Sequence, residues 1–267
     1  MSEQDFVIEA DGPVLTLTFN RPHKYNAITN SMFDGLYSAF KLFRDDAALR
    51  VFLIRSTGKY FSAGYDITAI EPAKPGESAR QFRQRYGQAA RHWLWDEFEN
   101  LEKPVVVAHQ GPCLGGALEM SLSCDFRLAS DAATYALPEL NFGAIPGSGG
   151  TSRLVRTVGA HWARWLIMAN LPMNPERALS AGLIHEIYPA EEFDEEVAAF
   201  CRHLAAQPPE ALGSAKLAIE LAKDLDRTQG RNVERLINSS LNGGEEQDRL
   251  FEAFRARFEK KGANKAQ

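Results

Sequence analysis

Cysteine is scarce in this chain: three residues among 267, at Cys113, Cys124 and Cys201. The number is odd, the spacing is wide, and no Cys/His pattern has zinc-ligand spacing. A disulfide framework and a structural metal knuckle are excluded on that ground, and the thiols read as reduced. Long apolar runs are missing too. Nothing approaches the ~20 apolar residues that span a bilayer. The opening segment, MSEQDFVIEADG, is acidic and lacks the apolar centre of a secretory signal. Positive charge is in deficit, with 30 Lys+Arg against 35 Asp+Glu and a formal net charge of −5. That balance argues against nucleic acid and against an anionic membrane as partners, while leaving room for a local basic pocket. A cytoplasmic protein is expected.

What is present is an ordinary globular composition, 45% hydrophobic and 24% charged. A chain of this length buries roughly 75% of its unfolded surface, so its core needs no staples. Phe6 to Glu9 and Val14 to Phe19 flank Asp11-Gly12-Pro13 and predict a strand pair. Thr29 or Asn30 can cap a helix in which Phe33, Leu36, Tyr37, Phe40 and Phe43 recur at helical spacing. Val51 to Arg55 predicts a buried strand, and a glycine-bearing loop, Ser56 to Asp66, follows. A long helix is expected from Ser78 to Leu101, with Tyr86 in its apolar stripe and Trp93 in a core or interface role. Strands at Val105–Ala108, Asp125–Ala129, Thr134–Ala136 and Leu183–Tyr188 alternate with helices at Gly115–Ser123, Thr151–Thr157, Ala160–Ala169 and Pro175–Ala181. The alternation predicts the α/β class. From Glu191 the pattern is Ala-, Leu-, Glu- and Lys-rich, predicting three or four helices and no strand. The expected division is a catalytic core over 1–195 and a helical region over 196–267.

The chemistry concentrates between Pro104 and Gly150. An apolar run ends at Gly111-Pro112, a Gly115-Gly116 pair opens a helix, Glu119 follows, and Glu139 comes after Pro138. The first N–H groups of a helix lack intrahelical partners, and glycine lets a ligand carbonyl approach them. The Gly116 N–H is thus half of a candidate oxyanion hole. The loop Ser62-Ala63-Gly64-Tyr65 offers a second backbone donor. Read on spacing alone, the glycines in both loops serve equally well to permit tight turns. Glu119 is equally a helix-start acid, and Glu139 a solvated loop carboxylate.

Four segments together resemble the enoyl-CoA hydratase/isomerase, or crotonase, superfamily. They are NRPHKYNAI (Asn20–Ile28), FSAGYDI (Phe61–Ile67), GPCLGGALE (Gly111–Glu119) and PELNFGAIPGSGGTSRL (Pro138–Leu154). Their order and spacing match across essentially the whole chain. The resemblance implies a right-handed spiral of ββα turns followed by a C-terminal helical region, assembled as a trimer or a hexamer of paired trimers. It implies an acyl-CoA thioester as substrate and no cofactor beyond the CoA that the substrate carries. The backbone N–H groups of Tyr65 and Gly116 fall on the family's oxyanion donors, and Glu119 and Glu139 on its two catalytic glutamates. CoA contacts are implied at Lys24, Ala27, Ala63, Asp66 and Ile67, with Gly115 and Pro138 beside the second donor. Phe254 and Phe258 fall on the tail's aromatic positions.

The chain departs from the family pattern at Tyr65, where a small residue is commoner, and at Ala117, His109-Gln110, Tyr135 and Leu137. A tyrosine ring beside the first donor is expected to narrow or polarise the acyl pocket. Retention of both glutamates implies reversible syn addition of water to a 2-enoyl-CoA. Enoyl-CoA isomerisation, a retro-aldol lyase step and a non-catalytic acyl-CoA scaffold are the alternatives. A serine-peptidase reading needs a Ser-His-Asp set, and no serine here stands in a recognisably activated setting.

Overall fold

The structure is a computed structural model that describes residues 4–69, 74–85 and 88–263. It divides after Ala206 into two compact units. Strands β1 (Phe6–Asp11) and β2 (Val14–Phe19) form an antiparallel hairpin closed by Gly12 at φ 54°. From β2 onward every pairing in the large sheet is parallel. Its order is β1-β2-β3-β4-β6-β8, with β3 Val51–Ser56, β4 Val105–His109, β6 Phe126–Ser130 and β8 Glu186–Tyr188. The near-continuous apolar runs of β3 and β4 follow from burial on both faces.

The period-2 alternation of the strands separates two cores. On one face Leu15, Leu17, Phe52, Ile54, Val105 and Val107 pack with α1 (Asn30–Asp45) and α3 (Gln88–Asn100). On the other, Val14, Val51, Leu53, Val106 and Leu128 meet Phe193, Val197, Cys201 and Leu204 of α7 (Phe193–Ala205). Thr29 caps α1, its hydroxyl accepting from the Met32 N–H at 3.2 Å. Since α7 covers a sheet face, the first unit runs past residue 195, where composition alone had drawn the boundary. All three cysteines are buried, and none forms a disulfide.

A second, smaller row of strands carries the loops that matter. Strand β5 (Cys113–Leu114) pairs in parallel with β7 (Tyr135–Ala136), and single bridges join Ser62 to Cys113 and Tyr135 to Met173. Each pass through the large sheet is thus followed by a short segment in this row: β3 by Ser62, β4 by β5, β6 by β7. The α/β spiral expected from the motifs is this alternation.

Several elements differ from the sequence reading. The expected Ser78–Leu101 helix is α2 (Ala79–Arg85) and α3, and Tyr86 lies outside the described residues. Helical phase in α3 turns Leu94, Trp95 and Phe98 inward, so Trp95 is fully buried, while Trp93, expected in the core or at an interface, is 43% exposed and so not in this chain's core. Helix α4 (Gly116–Ser121) is shorter than expected. Helix α5 (Gly150–Ala163) bends at Gly159, φ 72°, and ends in a π turn at Arg164–Met168. After α6 (Pro175–Ser180), β8 begins only at Glu186. The second unit holds α8 (Pro209–Ala222), α9 (Arg227–Ser240) and α10 (Glu245–Ala263). There a capping box on Asp226 starts α9, and the Glu246 carboxylate accepts the N–H groups of Glu210 and Ala211 at the start of α8. Among the described residues no helix is long and apolar enough to cross a membrane.

Candidate functional site

Two loops of the second strand row meet at α4. Gly64, at φ 93°, lies so close to the turn before α4 that a Cβ on it would stand 2.9 Å from the Leu114 carbonyl oxygen and 3.3 Å from the Gly116 nitrogen. Only glycine allows both the dihedral and the approach. Tyr65 is bridged to Ile28, through Ile28 N–H to Gly64 O at 2.8 Å and Asp66 N–H to Ile28 O at 3.0 Å. That bridge does not engage the Tyr65 N–H. The Gly116 N–H opens α4 and has no acceptor among the described residues. The two N–H groups singled out in the sequence therefore belong to touching backbone segments.

The first of these loops is held by groups that were not singled out. Asn26, buried at φ 51°, donates through Nδ2 to Thr57 O at 2.7 Å and Tyr60 O at 2.8 Å, while its Oδ1 accepts the Arg21 N–H. Ser62 donates to Asn26 O and accepts from the Gly64 N–H. Arg21 pairs with Asp66 at 2.7 Å and donates to Ala27 O at 3.2 Å. Hydrogen bonds from Thr68, then from Arg21, hold the Asp66 carboxyl below the usual carboxylate range. Its oxygens are thus occupied internally. Ala63 is tied to Tyr25 O through its N–H, Lys24 is exposed in a 3₁₀ turn, and Ile67 is exposed beside Asp66.

The two glutamates come to the same place from different elements. Glu119, only 2% exposed, sits one turn into α4. One of its oxygens, Oε1, accepts the N–H groups of Ser148 at 2.7 Å and Gly150 at 3.2 Å. A Cβ on Gly150 would stand 2.5 Å from Glu119 Cγ, so glycine is required there. Burial pushes Glu119 up to about 7; the Ser148 hydrogen bond opposes this and the Glu139 charge adds to it. Glu139 lies in a 3₁₀ turn, Pro138–Phe142, directly over Gly115: a Cβ on that glycine would be 3.1 Å from Glu139 Oε1 and 3.8 Å from Pro138 Cδ. Its other oxygen, Oε2, is buried with no hydrogen-bond partner among the described residues. Burial raises this carboxyl above its ordinary range as well. Glu139 is therefore not the solvated loop acid that spacing alone allowed.

Further out, Arg153 reaches from α5 to α3, pairing with Asp96 at 2.5 Å and Glu99 at 2.7 Å. This fixes the start of α5, whose Gly150 N–H supports Glu119. A Ser–His pair does exist, Ser121 Oγ to His109 Nε2 at 3.0 Å. It is fully buried, and the other ring nitrogen meets Tyr135 Oη at 3.1 Å rather than a carboxylate. Burial, then the Arg127 charge, lowers His109 to about 3, so the ring stays neutral. The pair is no peptidase nucleophile. Phe254 is exposed in the second unit, and the side chain of Phe258 lies outside the described residues.

Two adjacent backbone turns, one buried carboxyl poised near neutrality and a second beside it suit proton transfer next to a polarised carbonyl. A family model described as enoyl-CoA hydratase/isomerase matches residues 9–263. The chain belongs to the enoyl-CoA hydratase/isomerase family. It is 31% identical over 257 residues to a probable enoyl-CoA hydratase of Rhizobium meliloti, covering 96% of this chain and 97% of that one. It is 34% identical over 221 residues to a carnitinyl-CoA dehydratase of Salmonella arizonae, covering 82% of each. A crystal structure of enoyl-CoA hydratase from Bacillus anthracis superposes with a TM-score of 0.86 at 27% identity, covering 95% of this chain and 97% of that one. Membership supports the crotonase spiral as the fold. The segments converge here because Ser62, β5 and β7 lie side by side in the second strand row.

Proposed function

We propose that this chain is an enoyl-CoA hydratase, adding water reversibly and syn across the double bond of a 2-enoyl-CoA. The observation that carries the reading is the convergence of both Glu119 and Glu139 on the touching Gly64–Tyr65 and Gly115–Gly116 segments. The Tyr65 and Gly116 N–H groups donate to the thioester oxygen and draw charge out of the enone. Losing one such donor costs about 2.7–4 kcal/mol of barrier. Glu119, with Oε1 engaged by Ser148 and Gly150, keeps its second oxygen for water. Ionised, it takes a proton from the water whose oxygen bonds to Cβ. In the form that reacts, the proton the pair shares sits on Glu139, which delivers it to Cα as the enolate collapses. Proton transfer from Glu119 to Glu139 then resets the pair. Two close carboxyls in a buried site share one proton rather than both ionising.

Lys24, Ala27, Ala63, Asp66 and Ile67 stand on the loops that would carry the CoA moiety, with Gly115 and Pro138 lining the acyl end. The 207–267 helices are assigned to assembly as a homotrimer or paired trimers, and the enzyme to the cytoplasm. Purified protein should hydrate a panel of 2-enoyl-CoAs. Glu119→Gln and Glu139→Gln should each lower kcat about 10²–10⁴-fold. Full activity in either variant removes that glutamate from the mechanism. Product formed in heavy-oxygen water should carry solvent oxygen on Cβ; an isomerase product would not.

A further inference from the structure

We propose that the side chain of Tyr65, beyond the backbone N–H it contributes, sets the size of the acyl group by closing the inner end of the acyl site, so that short 2-enoyl chains are preferred. The proposal rests on the enoyl-CoA reading above and deepens it. Its starting point is a collision. A Cβ added to Gly116 would overlap ring atoms Cδ2 and Cε2 of Tyr65 and lie 2.7 Å from its Cζ. The ring therefore occupies the space above the residue whose N–H is the second donor. Glycine at 116 makes room for an aromatic ring as well as for a ligand oxygen.

The ring cannot be withdrawn by a loop shift. Hydrogen bonds of Ile28 to Gly64 O and of Asp66 to Ile28 O clamp the backbone on both sides of Tyr65, and Gly64 is wedged against Leu114 and Gly116. Only rotation about the side chain's own bonds remains. The direction of the ring is also defined. Tyr65 as a whole is partly exposed and packs on the main core cluster, while its Oη has no solvent exposure. The ring thus reaches past Gly116 with its far end buried.

These placements constrain any acyl group. With the thioester oxygen at the Tyr65 and Gly116 N–H groups, Cα is two bonds from that oxygen and Cβ three, so the reacting carbons lie beside this ring. At the preceding residue, a Cβ on Gly115 would stand 3.1 Å from Glu139 Oε1, so that carboxyl occupies the space above Gly115. Carbons beyond Cβ that continue inward must then displace either an aromatic ring with a clamped root or a buried carboxyl. Forcing extra methylenes into packed space is unfavourable, and a pocket that discriminates by one methylene does so by about 10–200-fold. A small residue at position 65 would leave the inward path open.

The test is a kcat/KM profile over straight-chain 2-enoyl-CoAs from four to twelve carbons for the wild type, Tyr65→Phe, Tyr65→Leu and Tyr65→Ala. In the wild type kcat/KM should fall with length. Tyr65→Ala should shift the ten-carbon to four-carbon ratio toward the longer chain by about 10-fold or more. Tyr65→Phe retains the ring and should retain the wild-type ratio, and Tyr65→Leu should fall between. An unchanged ratio in Tyr65→Ala overturns the proposal, as does a wild type that handles ten carbons as well as four. Should Tyr65→Ala fail to fold, an unchanged ratio in Tyr65→Leu has the same force. A wild type that hydrates none of these thioesters overturns the hydratase reading instead. Size selection is then read from competitive binding of the saturated four- and ten-carbon acyl-CoAs, where the same variants should produce the same shift.

Discussion

Glu119 shows how one buried carboxyl sets function against stability. Its folded pKa of about 7 lies above the 4.5 of the free side chain, with burial the leading cause. The native state therefore holds this proton more tightly than the unfolded chain does. The stabilisation is fully present below pH 4.5 and is lost as pH rises through 7, a swing of about 3 kcal/mol. Glu119→Gln keeps an oxygen to accept the Ser148 and Gly150 N–H groups and removes the titration. Urea melts should show the variant more stable than the wild type at pH 8 by up to about 3 kcal/mol, with the two converging at pH 4.5. A variant less stable at pH 8 would mean that the ionised carboxylate is a net stabiliser. Because the ionised form is the one assigned to water activation, the wild type's kcat/KM should also fall as pH drops below about 7. The glutamate itself was legible from its motif. Its two donors were not, because Ser148 and Gly150 lie about thirty residues on and reach it only once α5 has folded back. Asn26, Arg21 and Arg153 were missed for the same reason: their partners are backbone carbonyls and acids that no local spacing reveals.

At the scale of elements, the question is what holds α4 and β7 in register, since one carries Glu119 and the other leads into Glu139. The answer is a buried polar chain, Ser121 on α4, His109 at the end of β4 and Tyr135 on β7. His109→Leu would leave the Ser121 and Tyr135 hydroxyls buried without these partners, costing about 2–5 kcal/mol. It should lower kcat more than it raises KM, because the two carboxyls lose their common support while the loops proposed to carry CoA are untouched. His109 also has a depressed pKa, about 3 against 6.5, so the unfolded chain takes up a proton that the native one refuses. Native stability is therefore lost as pH falls below 6.5, by up to about 1.4 kcal/mol per pH unit. In His109→Leu that acid slope should be shallower although neutral-pH stability is lower. An acid slope as steep as the wild type's would remove His109 from this account. Periodicity made the large-sheet strands and most helices legible, because each spans enough residues to show a repeat. It failed for β5, whose two residues have no period, and for α3, where Trp93 and Trp95 compete for the inward phase and only packing against Phe33 and Phe98 decides.

For the whole molecule, the decisive surface lies in the second unit. Helix α9 has no buried side chain, yet it is amphipathic, and Leu236 on it is 71% exposed. Ile219 on α8 is 64% exposed, and Phe251 on α10 is more than half exposed. Single exposed apolar residues are normal, but several large ones on one small helical unit support the proposed assembly through this region. Composition showed where this region begins to differ, and the family resemblance supplied a reason, assembly, that no single helix states. A closed assembly buries the same patch on every copy, so one charge introduced there acts at each interface at once. Leu236→Glu should convert a trimeric or hexameric species into monomers in light scattering at micromolar concentration. Its melting temperature should fall and lose the concentration dependence that assembly confers on the wild type. The same substitution should leave the secondary structure of the first unit intact by circular dichroism. A wild type that is monomeric at the same concentration, or a Leu236→Glu variant with unchanged assembly and melting, would return this face to solvent and leave the 207–267 helices without their assigned role.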